Sequence, residues 1–320
     1  MPRPTSATTV SRPDLSALAM EYLENQADFI GTRILPYFDV DEQSGQYPVI
    51  PVEALLGVPE TKRAPRAPYA RDNWKFENDH YDCIENGWEE PVDDVEAKLY
   101  SRFFDAEEIA MLRAMGVILR VQEKRIADML FNAGNFTAHN ITIEWDQNDY
   151  TNAIPIQDVN AGRQAIHDAT GIEPNTLIIC YDTFHHLGLM NQILDKIKYT
   201  YSPLAWDTIG RKVLAEAFGL DNVLVGKNVY NSAKKGQSAS LSRIWNHEYA
   251  MLCRVSSGRD LKEPSLGRTF RWTKDCPENM VIESYREENI RSEIIRARQH
   301  TDEEIMFTSA AYLLGNVTTI

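Results

Sequence analysis

The sequence is short of the residues and runs that most function classes require. Four cysteines (Cys83, Cys180, Cys253, Cys276) stand far apart with no CxxC spacing, which gives neither a disulfide framework nor a zinc knuckle and makes reduced thiols the expectation. No apolar run approaches the ~20 residues needed to span a bilayer, so no membrane partner is expected. The opening MPRPTSATTVSRPD lacks the apolar stretch of a secretory signal. There is no GxGxxG and no GxSxG, and Gly226-Lys227 lacks the preceding glycine spacing of a phosphate loop. Positive charge is also scarce. Lys and Arg number 33 against 47 Asp and Glu, a formal charge of −14, which argues against a dedicated binder of exposed nucleic acid. It does not argue against a container for DNA, because a lining that repels phosphate leaves packed DNA free to move.

What is present is unevenly spread over 320 residues. Ten of the 15 prolines fall in the first 91 positions, and proline removes a backbone donor and drives its predecessor to extended conformations. The same stretch carries Leu15, Leu18, Tyr22, Phe29, Ile30, Ile34 and Phe38, too apolar for a solvated tail. Its pattern predicts a short helix within 15–34, with Leu15, Leu18, Tyr22 and Phe29 on one face. Two strands follow, over 47–52 and 73–83, with Trp74 and Phe76 alternating with polar neighbours. Between them GVPETKRAPRAPYARD places Lys62, Arg63, Arg66 and Arg71 at the tip of a long hairpin. A two-stranded ribbon is marginal alone in water. The arm and the hairpin are therefore expected to rest on another subunit, with packing onto the chain's own body as the alternative. The candidate interface residues are Leu15, Leu18, Tyr22, Phe29, Lys62, Arg63, Arg66, Arg71, Trp74 and Phe76. For the basic group, a solvated loop or an ion pair with an acidic neighbour is favoured over DNA contact.

Beyond Val92 the character changes. Asp93 with Glu96 and Asp105 with Glu108 match an N-terminal cap spacing. They predict a short helix carrying Val95, Leu99 and Phe103 on a face, then a helix from about 106 to 133 carrying Leu112, Met115, Leu119, Ile126 and Leu130, closed by Gly134. Such a rod serves as a spine. From 154 onward helices and strands alternate: a helix capped by Asp158 and ending at Thr170-Gly171, a strand over 175–180, a helix capped by Asp182 or Thr183, a helix over 211–220 and a strand over 222–226. A strand or strand pair over 243–255 and a strand-rich end complete an α+β chain.

The run YDCIENGWEEPVDD (81–94) leading into the long helix resembles the hairpin-to-spine junction of tailed-bacteriophage major capsid proteins. TGIEPNTLII (170–179), LAEAFGLDNVLVG (214–226), the strand with Ile244-Trp245 and the ending AAYLLGN (310–316) resemble the same family in the same order. The resemblance covers roughly 15–317 and implies the HK97-like capsid fold: an N-terminal arm (1–45), an extended hairpin loop (46–92), a peripheral domain with the spine helix (93–150 and 265–320) and an axial domain (151–264). It also implies self-assembly as pentamers and hexamers into an icosahedral shell around double-stranded DNA, a place in the virion, and no catalysis, cofactor or metal. Because the apolar arm opens at Leu15, with no long scaffolding region before it, a separate scaffolding protein is expected. The resemblance also implies a portal and in some relatives a decoration protein. Some relatives join a hairpin lysine to a neighbour's asparagine; nothing in the spacing of Lys62, Lys75, Asn279, Asn289 and Asn316 selects a pair.

Tempting sites have plainer readings. Cys180 before His185 and His186 has the ingredients of an activated thiolate, but a buried structural thiol is the stronger reading. His80 and Cys83 make half a zinc site without the other half. Glu89, Glu90, Asp93, Asp94 and Glu96 fit a helix start, and Asp146, Asn148 and Asp149 lack the glycine and closing glutamate of a calcium loop. Two other functions stand beside the phage shell: an encapsulin-like nanocompartment shell, told apart by its protein cargo, and a soluble α/β enzyme using Cys180.

Overall fold

In the computed structural model the described residues are 10–11, 15, 29–49, 51, 56–71, 77–101, 104–146, 150, 152–198, 210–234, 236–256, 258, 261 and 263–319. The chain runs β1 (Val10–Ser11), α1 (Gly31–Ile34), β2 (Tyr37–Val40), β3 (Ser44–Val49), β4 (Glu77–Asp82), β5 (Ile84–Asp93), α2 (Asp94–Tyr100) and α3 (Ala106–Leu130). Then come β6 (Ala138–Asn140), α4 (Pro155–Thr170), β7 (Thr176–Cys180), α5 (Tyr181–Leu189), α6 (Asn191–Lys198), α7 (Arg211–Phe218) and β8 (Asn222–Gly226). The remainder is strand-rich: β9 (Val229–Asn231), β10 (Leu241–Arg243), β11 (Ala250–Cys253), β12 (Gly267–Trp272), β13 (Val281–Glu287), β14 (Ser292–Ile305) and β15 (Ala311–Gly315).

Two larger sheets organise the molecule. One has the order β1-β13-β14-β12-β2, with β5 along the other edge of β14; the second has the order β6-β15-β11-β7-β8. The helix α3 is about 37 Å long and serves both. Its first half puts Met111, Met115, Ile118 and Leu119 against Ile282, Ile295 and Ala297 of the first sheet. Its last turns put Ile126, Ala127 and Leu130 into a cluster with Ile178, Leu224, Met251 and Leu313 of the second. Strand alternation sends the neighbours Leu177, Ile179, Val223, Val225, Leu252 and Leu314 to the opposite face, where α4 and the later helices cover them. The second sheet is thus buried on both sides, which is why Thr176–Cys180 reads as an unbroken apolar run.

Several local expectations need correction. The long helix closes at Phe131, whose N–H reaches Ala127 O, three residues before Gly134. The carboxylate of Asp158 does not cap α4, which opens at Ile154 with Pro155; it accepts from Trp145 Nε1 at 2.9 Å. No side-chain cap precedes α5, and Asp182 pairs with Arg243 instead. The chain breaks at Met190 into two helices where one was expected. At the C-terminal end, Ala311–Gly315 pairs with β11 and β6 in the second sheet. The apolar pattern there fixed a strand but not its sheet. By contrast, Asp93 accepts from Val95 N and Glu96 N, Asp105 accepts from Glu107 N, and Gly171 ends α4 at φ 70°.

Candidate assembly surfaces

The hairpin exists. Strands β3 and β4 pair antiparallel from Ser44↔Asp82 to Val49↔Glu77 and, among the described residues, with no other strand. Trp74 and Phe76 lie outside the described residues. What holds the hairpin's base is aromatic. Tyr47 and Tyr81 pack on Phe270 of β12 with ring centroids 4.9 and 4.8 Å away. Gly45 is required at the crossing, since a Cβ there would stand 2.8 Å from the Tyr81 hydroxyl oxygen. Asp82 N donates to Asp302 Oδ2 at 2.7 Å and Cys83 N to Gln43 O at 2.9 Å.

Beside this anchor the acids Asp302 and Glu304 of β14 face Asp79 of β4. Burial first, then the nearby Asp302 and Asp79 charges, push the Glu304 carboxyl from its ordinary 4.5 to about 7. Burial also raises the Asp302 carboxyl.

Residues 57–71 are almost wholly exposed, with Val58 at 97% and Tyr69 at 72%. Ala67 N donates to Ala64 O at 3.1 Å and Arg66 takes φ 69°, so the tip turns sharply there. Arg63 stays inside the loop, its Nε on Ala67 O at 2.6 Å and its guanidinium 4.7 Å from the Tyr69 ring centre. Lys62, Arg66 and Arg71 are exposed. One residue near the ribbon touches the chain's own body: a Cβ on Gly171 would lie 3.2 Å from Leu56 Cδ2.

The arm residues divide. Leu15 is buried, and Phe29 partly so, in the cluster formed by the first half of α3 with β5, β13 and β14; both lie against their own chain. Leu18 and Tyr22 lie outside the described residues.

A further surface escaped the sequence reading. Helix α2 buries none of its residues. Val95 is 63% exposed and Leu99 65%, one turn apart, and Tyr100 stacks on the half-exposed Phe104 at 5.4 Å. Tyr100 and Phe104, with Ile109, border a groove that also includes Glu90, Glu96 and Arg113, while Val95 and Leu99 are exposed outside it. The signal available in sequence was the Val95/Leu99 pair on a helix too short to need a core.

The residues with catalytic or ligating chemistry are dispersed. Burial pushes the Cys180 thiol up. His186 Nδ1 lies 3.1 Å from the Tyr150 hydroxyl, and His185 stands edge-on to Tyr181. Burial pushes the Cys83 thiol up to about 12, while His80 points at Asp79. In the acidic run, Asp93 caps α2, Asp94 takes a bidentate pair from Arg286 at 2.6 and 2.7 Å, Glu89 pairs with Arg296, and Glu90 accepts from Trp88 Nε1. Asp146 accepts from Thr319 N. Among the described residues no group of three or more His, Cys, Asp or Glu side chains is arranged to hold a metal ion, and no helix is long and apolar enough to cross a membrane.

No protein-family model matches the chain. It is 27% identical over 313 residues, 95% of its length and 96% of the relative's, to the major capsid protein of Burkholderia phage BcepMu. A phage-related protein from Bordetella bronchiseptica superposes with a TM-score of 0.72 at 21% identity, covering 97% of this chain and 98% of that one. The putative capsid protein of an Escherichia coli CFT073 prophage gives 0.53 at 11% identity, over 96% and 99%. The chain shares the fold of these proteins from end to end.

Proposed function

We propose that this chain is the major capsid protein of a tailed bacteriophage, an HK97-like subunit that builds the icosahedral shell of the virion. The observation that carries it is the near end-to-end match to a phage major capsid protein, on a fold shared with a prophage capsid protein. The role is structural. Pentamers and hexamers would enclose double-stranded DNA without reading its sequence, and the net charge of −14 suits a wall that does not hold phosphate. A separate scaffolding protein and a portal are the further partners of this reading.

Within the shell, the hairpin tip of one subunit docks on the exposed surface of α2 of a neighbour. Support for this comes from complementarity: Lys62, Arg66 and Arg71 with exposed Val58 and Tyr69 on one side, and Glu96 with exposed Val95, Leu99 and Tyr100 on the other. Each exposed ion pair contributes only about 0–1 kcal/mol, but a shell repeats it at every subunit contact.

The test is electron microscopy of the protein co-expressed with its genomic neighbours, together with the contents of purified particles. Closed shells that package DNA are expected. Shells holding a protein cargo would move the chain to the nanocompartments, and a discrete small oligomer under the same conditions would overturn the reading.

A further inference from the structure

Glu123 sits on α3 only 2% exposed, and nothing in the assembly reading uses it. Its two oxygens accept three N–H groups: Oε2 from Gly31 at 2.6 Å, Oε1 from Ile30 at 3.2 Å and from Trp245 Nε1 at 2.6 Å. All three partners are donors, which matches an ionised carboxylate, an acceptor at both oxygens. Burial pushes the carboxyl's pKa up, and the three donors pull against that.

These donors come from two distant parts of the chain. Ile30 and Gly31 open α1, where the arm joins the body. Trp245 follows β10 and is fully buried against the second sheet, edge-on to Phe131 at 5.0 Å. Each approach is close enough to demand glycine. A Cβ on Gly31 would stand 2.8 Å from both Glu123 Oε2 and Ile126 Cδ1, and a Cβ on Gly226 would fall inside the Trp245 ring's van der Waals envelope.

We propose that Glu123 is a positioning residue that couples the seating of the arm's end to the seating of Trp245, so that the two segments hold or release together. Withdrawing the arm strips two donors from a buried carboxylate, and withdrawing Trp245 strips the third. A buried charge tolerates poorly the loss of any partner, so either loss raises the cost of keeping the other side in place. The coupling must act equally in both directions. It holds whether or not the chain builds a shell.

The experiment is amide hydrogen exchange on the full chain, followed in peptides covering 29–36 and 243–253. Trp245→Phe keeps a ring and removes the N–H; it is expected to speed exchange across 29–36 by about tenfold, the scale of a lost hydrogen bond to a charged group. Gly31→Ala is expected to speed exchange across 243–253, and the double variant to add little to either single change. Ile34→Val thins the same apolar cluster without touching the carboxylate's donors, and should leave 243–253 unchanged. If Trp245→Phe does not fold, Gly31→Ala read at 243–253 against Ile34→Val decides. Effects confined to the mutated segment, additivity in the double variant, or an equal response to Ile34→Val would each overturn the coupling.

Discussion

At the residue scale, close approach sets the tightest constraints. Gly226 ends β8 directly under Trp245, and a methyl group there has no room. Gly226→Ala is expected to cost about 1–3 kcal/mol, the usual range for overpacking, seen as a lowered denaturant midpoint of the unassembled subunit. An unchanged midpoint would mean that the ring shifts freely. Cys180 is the counter-case. Its thiol is buried and pushed up, so it is a poor nucleophile and a good packing residue. Cys180→Ala should leave particle yield unchanged, measured by sedimentation of assembled material. A loss of particles from a variant that still folds would reopen a chemical role for the thiol.

At the scale of elements, the hairpin and α2 are held in opposite ways. The hairpin's base is clamped by Tyr47 and Tyr81 on Phe270, but Asp79, Asp302 and Glu304 crowd beside the clamp, with His80 and Asp82 on the same strand as Asp79. Glu304 binds its proton more tightly when folded, up to about 7, than at its ordinary 4.5. Its contribution is therefore fully present below about 4.5 and is lost as pH rises through about 7. Hydrogen exchange in β3 and β4 should quicken, beyond its intrinsic pH dependence, as pH goes from 6 to 8. Glu304→Gln, which cannot ionise, should flatten that excess; an unaltered profile in the variant would remove Glu304 from the cause. Helix α2 is held by almost nothing it buries. Because Val95 and Leu99 are mostly exposed, replacing both with Ser should change subunit stability by no more than about 0.5 kcal/mol each. The same change should lower shell yield, and full yield would show that the face is not a contact.

Across the whole molecule, α3 ties the two sheets into one body, while the hairpin tip and α2 are left facing outward. Reversing Arg63 and Arg66 to Glu should impair shell formation more than subunit folding, compared by particle yield against the unfolding midpoint. Because Arg63 also braces the tip through Ala67 O and Tyr69, Arg66→Glu alone isolates the charge effect. Unreduced particle yield from both variants would take the tip off the list of contacts.

The order of parts was legible in sequence because each rests on a short-range rule. Prolines favoured extended chain around the hairpin, Asp93 and Asp105 announced the two helix starts, and Gly171 ended a helix that only a left-handed residue could close. The apolar period of 106–130 disclosed a spine. Long-range choices were not legible. That Ala311–Gly315 joins the second sheet, that Asp158 serves Trp145 and Asp182 serves Arg243, and that Leu15 packs on its own α3 all depend on which surfaces meet once the chain closes. The same holds for Glu123, an unremarkable acid in a helix until Ile30, Gly31 and Trp245 converge on it. Local steric and hydrogen-bonding preferences are written in a few neighbouring residues, whereas burial is decided by pairs of surfaces hundreds of positions apart. The sequence alone thus determined the kinds of element and their succession, and only the tertiary structure decided which charges are buried and which apolar faces remain open.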